Sequence, residues 1–411
     1  MDMKTILLGM LAIMVMVSCS DTAERPKHRR AGMNRIEVQR VIAQTQAEAV
    51  PNLAGKDLID AELAGMNFKH ADLTGAQMLG TGLQGANLSE ANLERSDLTG
   101  ANLANADLRN ANLEGSVLVN VNLNGANLTG ANLKDAKLSG VKLAGAILEG
   151  VNFTGAKMER ADLSRSVLHR ANFTGTNLRY AVLTGTDLSE TRFARTDLRD
   201  TDLRGADLSG LSLTEVNLQN ADLRLVNLSS AQLADVDLRE ANLSLGDFSS
   251  SKFEDCDLSK ANLTKADFSD ATILRSQFKR VKLTGGRLRK TYVANTNFNE
   301  AELKDVNMFQ AIITNSEMHD VDLQGSSMIN VDLTRTDLAR SNLSEVNLSK
   351  AVLISTRLTR VNLTDADLQK ADIKGANFSG ANLRGANFSE VLNLDQAIGF
   401  DKASNTRRAK F

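Results

Sequence analysis

The chain is poor in the residues that build catalytic and metal sites. Its 411 residues include no tryptophan, two prolines, two cysteines and four histidines, and aromatic residues make up 4%. So few histidines leave little material for a zinc site or a histidine-based triad. Charge of one sign is also lacking, with 48 basic residues against 50 acidic ones. Because nucleic-acid binding and its mimicry both need a field of one sign, we expect no nucleic-acid partner.

Long apolar runs are missing as well. The longest, from Ile6 to Val17, is too short to cross a bilayer and is typical of the apolar core of a signal peptide. It ends at Met16-Val17-Ser18-Cys19, which is similar to a bacterial lipobox. That resemblance implies cleavage of residues 1–18 and lipidation of Cys19, with Ser20 favouring the outer membrane over the inner one. The alternative is an unprocessed apolar start in a cytoplasmic protein.

What the chain has instead is a strict period of five. Every fifth residue from Leu53 to Phe388 is apolar, and nearly all of these residues are Leu or Phe. A period of five fits neither the 3.6 of an α-helix nor the 2.0 of a strand. A fixed period of this kind indicates a repeat architecture, so we expect one elongated domain over residues 51–390.

The repeating unit reads Ala-Asp/Asn-Leu-x-x, as in residues 101–105 and 206–210, and it resembles the pentapeptide-repeat family. The resemblance implies an all-β fold, a right-handed quadrilateral β-helix with four pentapeptides per coil and the large apolar residue pointing inward. At that rate the repeats make about 17 coils. Coils stacked ~4.8 Å apart would form a rod roughly 80 Å long.

The residue two places before each large apolar residue is small. Four positions depart from this rule, namely Pro51, Lys56, Met66 and Leu211. Large and small residues that alternate in a narrow column are what close packing requires. The charged residues occupy the other three positions of the repeat, which must face water. Lys56 is the exception, and we expect it at the mouth of the column because a buried unpaired charge is costly.

Both ends of the array differ from the repeat. Residues 19–33 are predicted to be a polar tether. Residues 34–50 are predicted to cap the first coil with a helix from about 35 to 48, since Asn34 and Glu37 have the spacing of a capping box. Such a helix would shield the open strand edges of the first coil. Residues 391–411 are predicted to close the far end, with a frayed, basic tail from Ser404 to Phe411.

No catalytic, cofactor or metal site is predicted. His70 and His169 fall on one face but about five coils apart, and His319 falls on another face. Cys256 occupies the small inward position and is predicted to be a packed thiol. The many Asp and Asn residues recur because the unit recurs, and carboxylate pairs among them are more often a solvated stack than an acid/base pair.

Two exposed features are candidates for partner binding. The first is a basic belt within one coil: Arg275, Lys279, Arg280, Lys282, Arg287, Arg289 and Lys290. A belt of this sign could meet phosphate-bearing lipid, nucleic acid or an acidic protein, although it is also compatible with local variation in composition. The second is a group of outward apolar residues: Leu274, Tyr292, Phe309, Ile312 and Ile329. Exposed apolar clusters of this kind mark contact surfaces.

The function that the sequence favours is a non-enzymatic lipoprotein of the bacterial cell envelope. One end would be held at a membrane by lipid, while the sides of the rod would dock an unidentified protein. A host-facing adhesin is compatible with the same residues. The alternative drawn from the family resemblance is a DNA mimic that binds gyrase, but acidic and basic residues are mixed on every face of this array. The oligomeric state stays open.

Overall fold

The structure is a computed structural model that describes residues 32–45 and 50–411, and Met33–Phe411 form one compact unit. In this unit the residue before each inward residue pairs in parallel with the residue 20 places later, except at Asp187, at Arg192 and in the last coil. Because 20 residues hold four pentapeptides, the backbone is a four-sided parallel β-solenoid, and the predicted fold class is confirmed. We number the sides 1 to 4 by the inward residues Leu53, Leu58, Leu63 and Phe68, each recurring every 20 residues.

The inward side chains fill the solenoid with one continuous hydrophobic core. The inward Leu and Phe residues are buried, and so are nearly all of the small residues that separate them. Aromatic rings stack from coil to coil on side 1. The ring centres of Phe153 and Phe173 are 5.0 Å apart, and those of Phe173 and Phe193 are 5.3 Å apart. Dense packing of this kind makes neighbouring coils depend on one another for stability.

The Asp or Asn of the repeat forms hydrogen bonds in two directions. Its side-chain oxygen accepts the backbone N–H two residues later, as Asn112 does from Glu114 at 3.2 Å. Stacked asparagines also bond between coils. The Nδ2 of Asn112 donates to Oδ1 of Asn92, and Nδ2 of Asn132 donates to Oδ1 of Asn112, both at 3.1 Å. The polar residue of the repeat therefore stabilises the turn that follows it. Where it is Asn, it also bonds the equivalent residue of the neighbouring coil.

Each corner of the solenoid is turned by a residue in the left-handed region. Gly125 has a φ of 67° there, but Asn105 (57°), Lys350 (59°) and Arg340 (62°) adopt the same conformation. Long charged residues therefore occupy the same strained conformation that glycine adopts at other corners. Val, Ile and Thr occur at none of the described corners, since branched side chains tolerate positive φ worst.

On side 1 six successive coils have longer strands. They are β1 (Ser212–Thr214), β2 (Gln232–Ala234), β3 (Lys252–Glu254), β4 (Thr272–Leu274), β5 (Tyr292–Ala294) and β6 (Ile312–Thr314), and they form one parallel sheet in that order. Hydroxyl groups support the turns that follow. The Oγ of Ser276 accepts the N–H of Cys256 at 3.1 Å, and the Oγ of Ser316 accepts the N–H of Thr296 at 3.2 Å.

A short helix covers the first coil, as predicted. Helix α1 spans Arg35–Gln44, and Asn34 and Glu37 form the capping box. Val38 is fully buried against the core. The helix ends earlier than residue 48, because the hydroxyl of Thr45 bonds the carbonyl of Val41 and its backbone turns extended. Lys56 is exposed on the first coil, as expected.

The far end is a complete coil, so the prediction of a frayed tail from Ser404 to Phe411 is wrong. Each side of this coil has six residues instead of five, since Ile398 pairs with Asn377, Ser404 with Asn382 and Lys410 with Asn387. Three 3₁₀ turns supply the extra length: η1 (Leu394–Gln396), η2 (Phe400–Lys402) and η3 (Thr406–Arg408). The rings of Phe400 and Phe411 pack over the last pentapeptide coil.

The predicted signal peptide, Cys19 and nearly all of the tether lie outside the described residues. Within residues 32–45 and 50–411, no helix is both long enough and apolar enough to cross a membrane.

Candidate interaction surface

Outward apolar residues lie on the sheet of side 1. The middle residue of each strand points into the core, so its two neighbours face outward. Tyr292 of β5 pairs in register with Ile312 of β6, and the two are 43% and 42% exposed. Leu274, at the end of β4, is half-buried at the opposite margin of the same sheet, where it pairs with Ala294. The sheet therefore presents two adjacent apolar side chains with a third at its margin.

Phe309 and Ile329 lie on side 4, next to the same corner. They follow residues 307 and 327, which pair with each other, so the two apolar residues occupy neighbouring coils. The chain passes from Phe309 through the corner residue Gln310 to Ile312 on side 1. We call Tyr292, Phe309, Ile312 and Ile329 the lateral patch. It extends around the corner between sides 4 and 1.

Some residues of the basic belt form ion pairs with acidic residues of neighbouring coils. Arg275 bonds Asp255 at 2.9 Å and also Glu254, both on the coil before, and these bonds raise the pKa of Arg275. Lys279 and Arg280 both contact Glu300 of the next coil, at 3.3 and 2.6 Å. Arg287 pairs with Asp267 at 3.0 Å. Acidic partners one coil away thus neutralise four of the seven basic residues.

The remaining basic residues are distributed over different sides. Arg289 lies over the ring of Phe309, 5.6 Å from its centre, which is a cation–π contact within the lateral patch. Lys290 turns the corner just before Tyr292, and Lys282 lies on side 3. In the described part of the chain, Lys282 and Lys290 form no ion pair. The structure therefore brings Arg289 and Lys290 to the lateral patch and leaves the rest of the belt elsewhere.

One exposed aromatic group was missed by sequence reasoning. Tyr180, at the corner that follows side 2, is 48% exposed and forms cation–π contacts with two guanidinium groups. Arg179 is 5.1 Å and Arg160 is 5.8 Å from its ring centre. Arg160 precedes Tyr180 by 20 residues, which is one coil, and that spacing was the signal in the sequence.

The three histidines in the described part of the chain stay apart and contact other residues. His70 lies 3.4 Å from Glu90, Nδ1 of His169 is 2.8 Å from the Ser189 hydroxyl, and His319 lies 3.1 Å from Asp320. No group of His, Cys, Asp or Glu among the described residues has the arrangement of a metal site. Cys256 is buried as predicted, and burial raises the pKa of its thiol to about 11. A neutral thiol of this kind is inert.

The comparison with protein families matches a model described as pentapeptide repeats. The matched segments are 52–89, 80–115, 96–135, 106–145, 131–170, 171–210, 206–244, 247–285, 276–315, 316–353 and 356–392. These segments take in most of the solenoid. No curated protein matches the chain.

Solved structures share the repeat at low identity. HetL, a pentapeptide-repeat protein involved in heterocyst differentiation regulation from the cyanobacterium Nostoc, is 23% identical over 85% of this chain and 96% of its own, with a TM-score of 0.20. QnrB1, a plasmid-mediated fluoroquinolone resistance protein, is 19% identical over 38% of this chain and 85% of its own, with a TM-score of 0.26. Superpositions this poor support no argument about function.

Proposed function

The chain belongs to the pentapeptide-repeat family, and from that premise we propose that it is a non-enzymatic docking scaffold. In this proposal the solenoid is a spacer that carries a protein-binding surface on its side. Lipidated Cys19 holds the protein at a membrane of the bacterial cell envelope, and the outer membrane is favoured over the inner one. The observation that carries the docking role is the pairing of Tyr292 with Ile312 beside Phe309.

The packing of the solenoid supports a scaffold. Its interior is occupied by Leu, Phe and small residues, and its polar residues bond to their own turns and to the coils above and below. Side chains committed in this way are not poised to act on a substrate. Function is then expected on the outer surface.

The lateral patch supports protein docking because it combines aromatic residues with an arginine. Aromatic residues and Arg are enriched at the centres of protein interfaces, and this patch combines Tyr292 and Phe309 with Arg289. Ile312 and Ile329 complete an apolar surface on neighbouring coils. Removal of this surface from water would favour binding of a partner with a complementary apolar face.

Gyrase binding by DNA mimicry is the second candidate, and the surface gives it less support. DNA presents charge of one sign, whereas this solenoid pairs acids with bases along its sides. In Asp-Leu-Arg segments the guanidinium bonds the carboxylate of its own repeat, as Arg224 does to Asp222 at 2.7 Å. Paired charges cancel at a distance, which weakens a DNA-like field.

Metabolic labelling tests the lipid anchor. Cells that express the wild type or Cys19→Ala are fed a fatty-acid analogue and then fractionated. We expect label and membrane association for the wild type alone. Unlabelled wild type that remains soluble at full length would refute the anchor, and a gyrase supercoiling assay would then test the second candidate.

Photo-crosslinking tests the docking surface. The chain has two tyrosines, Tyr292 in the lateral patch and Tyr180 at the corner that follows side 2, with similar exposure. A photoreactive phenylalanine analogue is placed at either position in cells. We expect a discrete cross-linked protein from position 292, lost when Ile312→Asp is added, and none from position 180. Equal products from both positions would refute a specific surface.

A further inference from the structure

The β-ladder of the solenoid is interrupted at one place in the described coils. Asp187 does not pair with Asp207, and Arg192 does not pair with Ser212, although the corresponding residues pair in the coils before and after. The missing pairs are neighbours along the chain, on sides 4 and 1. They leave a gap between segments 185–193 and 204–212.

Backbone hydrogen bonds are missing at the same place. On the coil before, Leu168 donates to the carbonyl of Asp187 at 2.9 Å and Phe173 donates to that of Arg192 at 2.8 Å. Leu188 and Phe193 are the equivalent residues one coil later, and no backbone hydrogen bond joins them to the following coil. The amide of Asp187 also bonds the preceding coil at 3.3 Å, longer than the 2.9 Å of Asn172.

Leu211 accounts for the position of the gap. It occupies the small inward position of side 1, in a column that reads Ala171, Thr191, Leu211 and Ala231. The coil after it stays attached, since Gln232 donates to the carbonyl of Leu211 at 2.9 Å. A side chain too large for the spacing of the coils therefore displaces the coil before it, where the pairing is lost.

Repulsion between Asp187 and Asp207 does not account for the gap. Asp202 and Asp222 stand in the same register on side 3 and pair normally, and so do Asp237 and Asp257 on side 2. Branching alone does not account for it either. Val151 occupies the same column as Leu211, yet Leu133 of the coil before it still donates to the carbonyl of Asn152 at 2.8 Å.

We propose that this gap is a hinge that lets the two parts of the solenoid bend against each other. The pairings at the opposite corner are intact, namely Val182 with Asp202 and Asp197 with Asn217. A structure joined at one corner and open at the other bends about the joined corner. Fewer hydrogen bonds also make the open corner the easiest place for local opening.

The hinge opens at the corner that carries the lateral patch. Tyr292 lies four coils beyond Ser212, or ~19 Å along the solenoid at the spacing of strands. Bending therefore changes the angle between the lateral patch and the coils that begin at α1. This inference depends on the ladder alone and stands whether or not Cys19 is lipidated.

Hydrogen exchange of the full chain tests the gap. We expect the amides of Leu188 and Phe193 to exchange fast, while those of Leu168 and Phe173 are protected. In Leu211→Ala the coils should close and slow exchange at Leu188 and Phe193 by about fivefold to tenfold, the factor for one net hydrogen bond. Ala171→Leu, in the same column, should instead make the amides of Leu148 and Phe153 exchange fast.

Distances between spin labels test the bending. Cysteines for labelling are placed at the exposed corner residues Arg170 and Ser250, four coils apart across the gap, with Cys19→Ser to keep labelling specific. The pair Ser250 and Asn330, also four coils apart, is the matched control. We expect a broader distance distribution across the gap, narrowed by Leu211→Ala. Equal widths in both pairs, or fast exchange that survives Leu211→Ala, would overturn the hinge.

Discussion

Phe173→Ala tests the packing of the solenoid most directly. The ring of Phe173 is fully buried and stacks between Phe153 and Phe193, with ring centres 5.0 and 5.3 Å away. Truncation removes the transfer free energy of the ring and leaves a cavity, which together cost about 3–5 kcal/mol. Loss of two stacked contacts places the expected cost in the upper part of that range. We therefore expect a large fall in the urea midpoint of unfolding.

Phe309→Ala is the matched control. The same atoms are removed, but Phe309 faces outward and is half-buried under Arg289. Its loss should cost about 1 kcal/mol or less. Circular dichroism measures both midpoints, and hydrogen exchange shows whether amides near Phe173 lose protection first, as expected for coils stabilised by their neighbours. Equal costs for the two variants would refute the assignment of inner and outer positions.

Three further predictions concern single residues. Lys350→Val should lower the urea midpoint and Lys350→Gly should not, because the corner φ of 59° is strained for a branched residue; equal midpoints would argue against that strain. Arg340→Ala should raise the pKa of Asp320 from about 2 toward 3.8 in an NMR titration. Since this folded pKa lies below the unfolded one, the stability from Arg340 should be present above about pH 4 and lost as pH falls toward 2, and an unchanged titration would contradict the pairing. Cys256 should resist iodoacetamide near pH 8 until urea unfolds the chain, because its pKa is about 11; rapid reaction of the folded protein would show that the thiol is accessible.

The coil could be predicted from the sequence because one residue in five decides it. The inward Leu and Phe set the period, and the small partner two places earlier sets the packing. Asn34 and Glu37 predicted the helix that covers the first coil. These signals are local or strictly periodic, so the sequence alone is enough to predict the structure that they specify.

The candidate surface was predicted less completely, because its interactions join residues one coil apart. Arg275 has no acidic partner within its own coil, yet Asp255 pairs with it from the coil before. The same holds for Tyr180 and Arg160. Side-chain direction decides which of these neighbours meet, and the repeat pattern does not specify that direction.

Two departures from the repeat are visible in the sequence, but their effects on the structure were not predicted. Leu211 departs from the small residues of its column, but the sequence does not show which of the two adjacent coils its side chain displaces. In the structure the coil before it is displaced and loses its pairing. Residues 391–411 were predicted to close the far end, but Ser404 to Phe411 were predicted to fray. The whole segment instead has a period of six, marked by Val391, Ala397, Ala403 and Ala409 and by left-handed turns at Asn393, Gly399 and Asn405.

The six-residue sides of the last coil have a consequence for polymerisation. The two ends of a uniform solenoid are complementary, so copies could add head to tail into a fibre with unbroken pairing. Here the sides of the last coil are offset from the pentapeptide register by one residue at each step, from Leu392 to Lys410. A first coil that starts at Leu53 and lies under α1 cannot continue that register. The register of the wide coil is therefore expected to disfavour head-to-tail stacking of copies through backbone pairing.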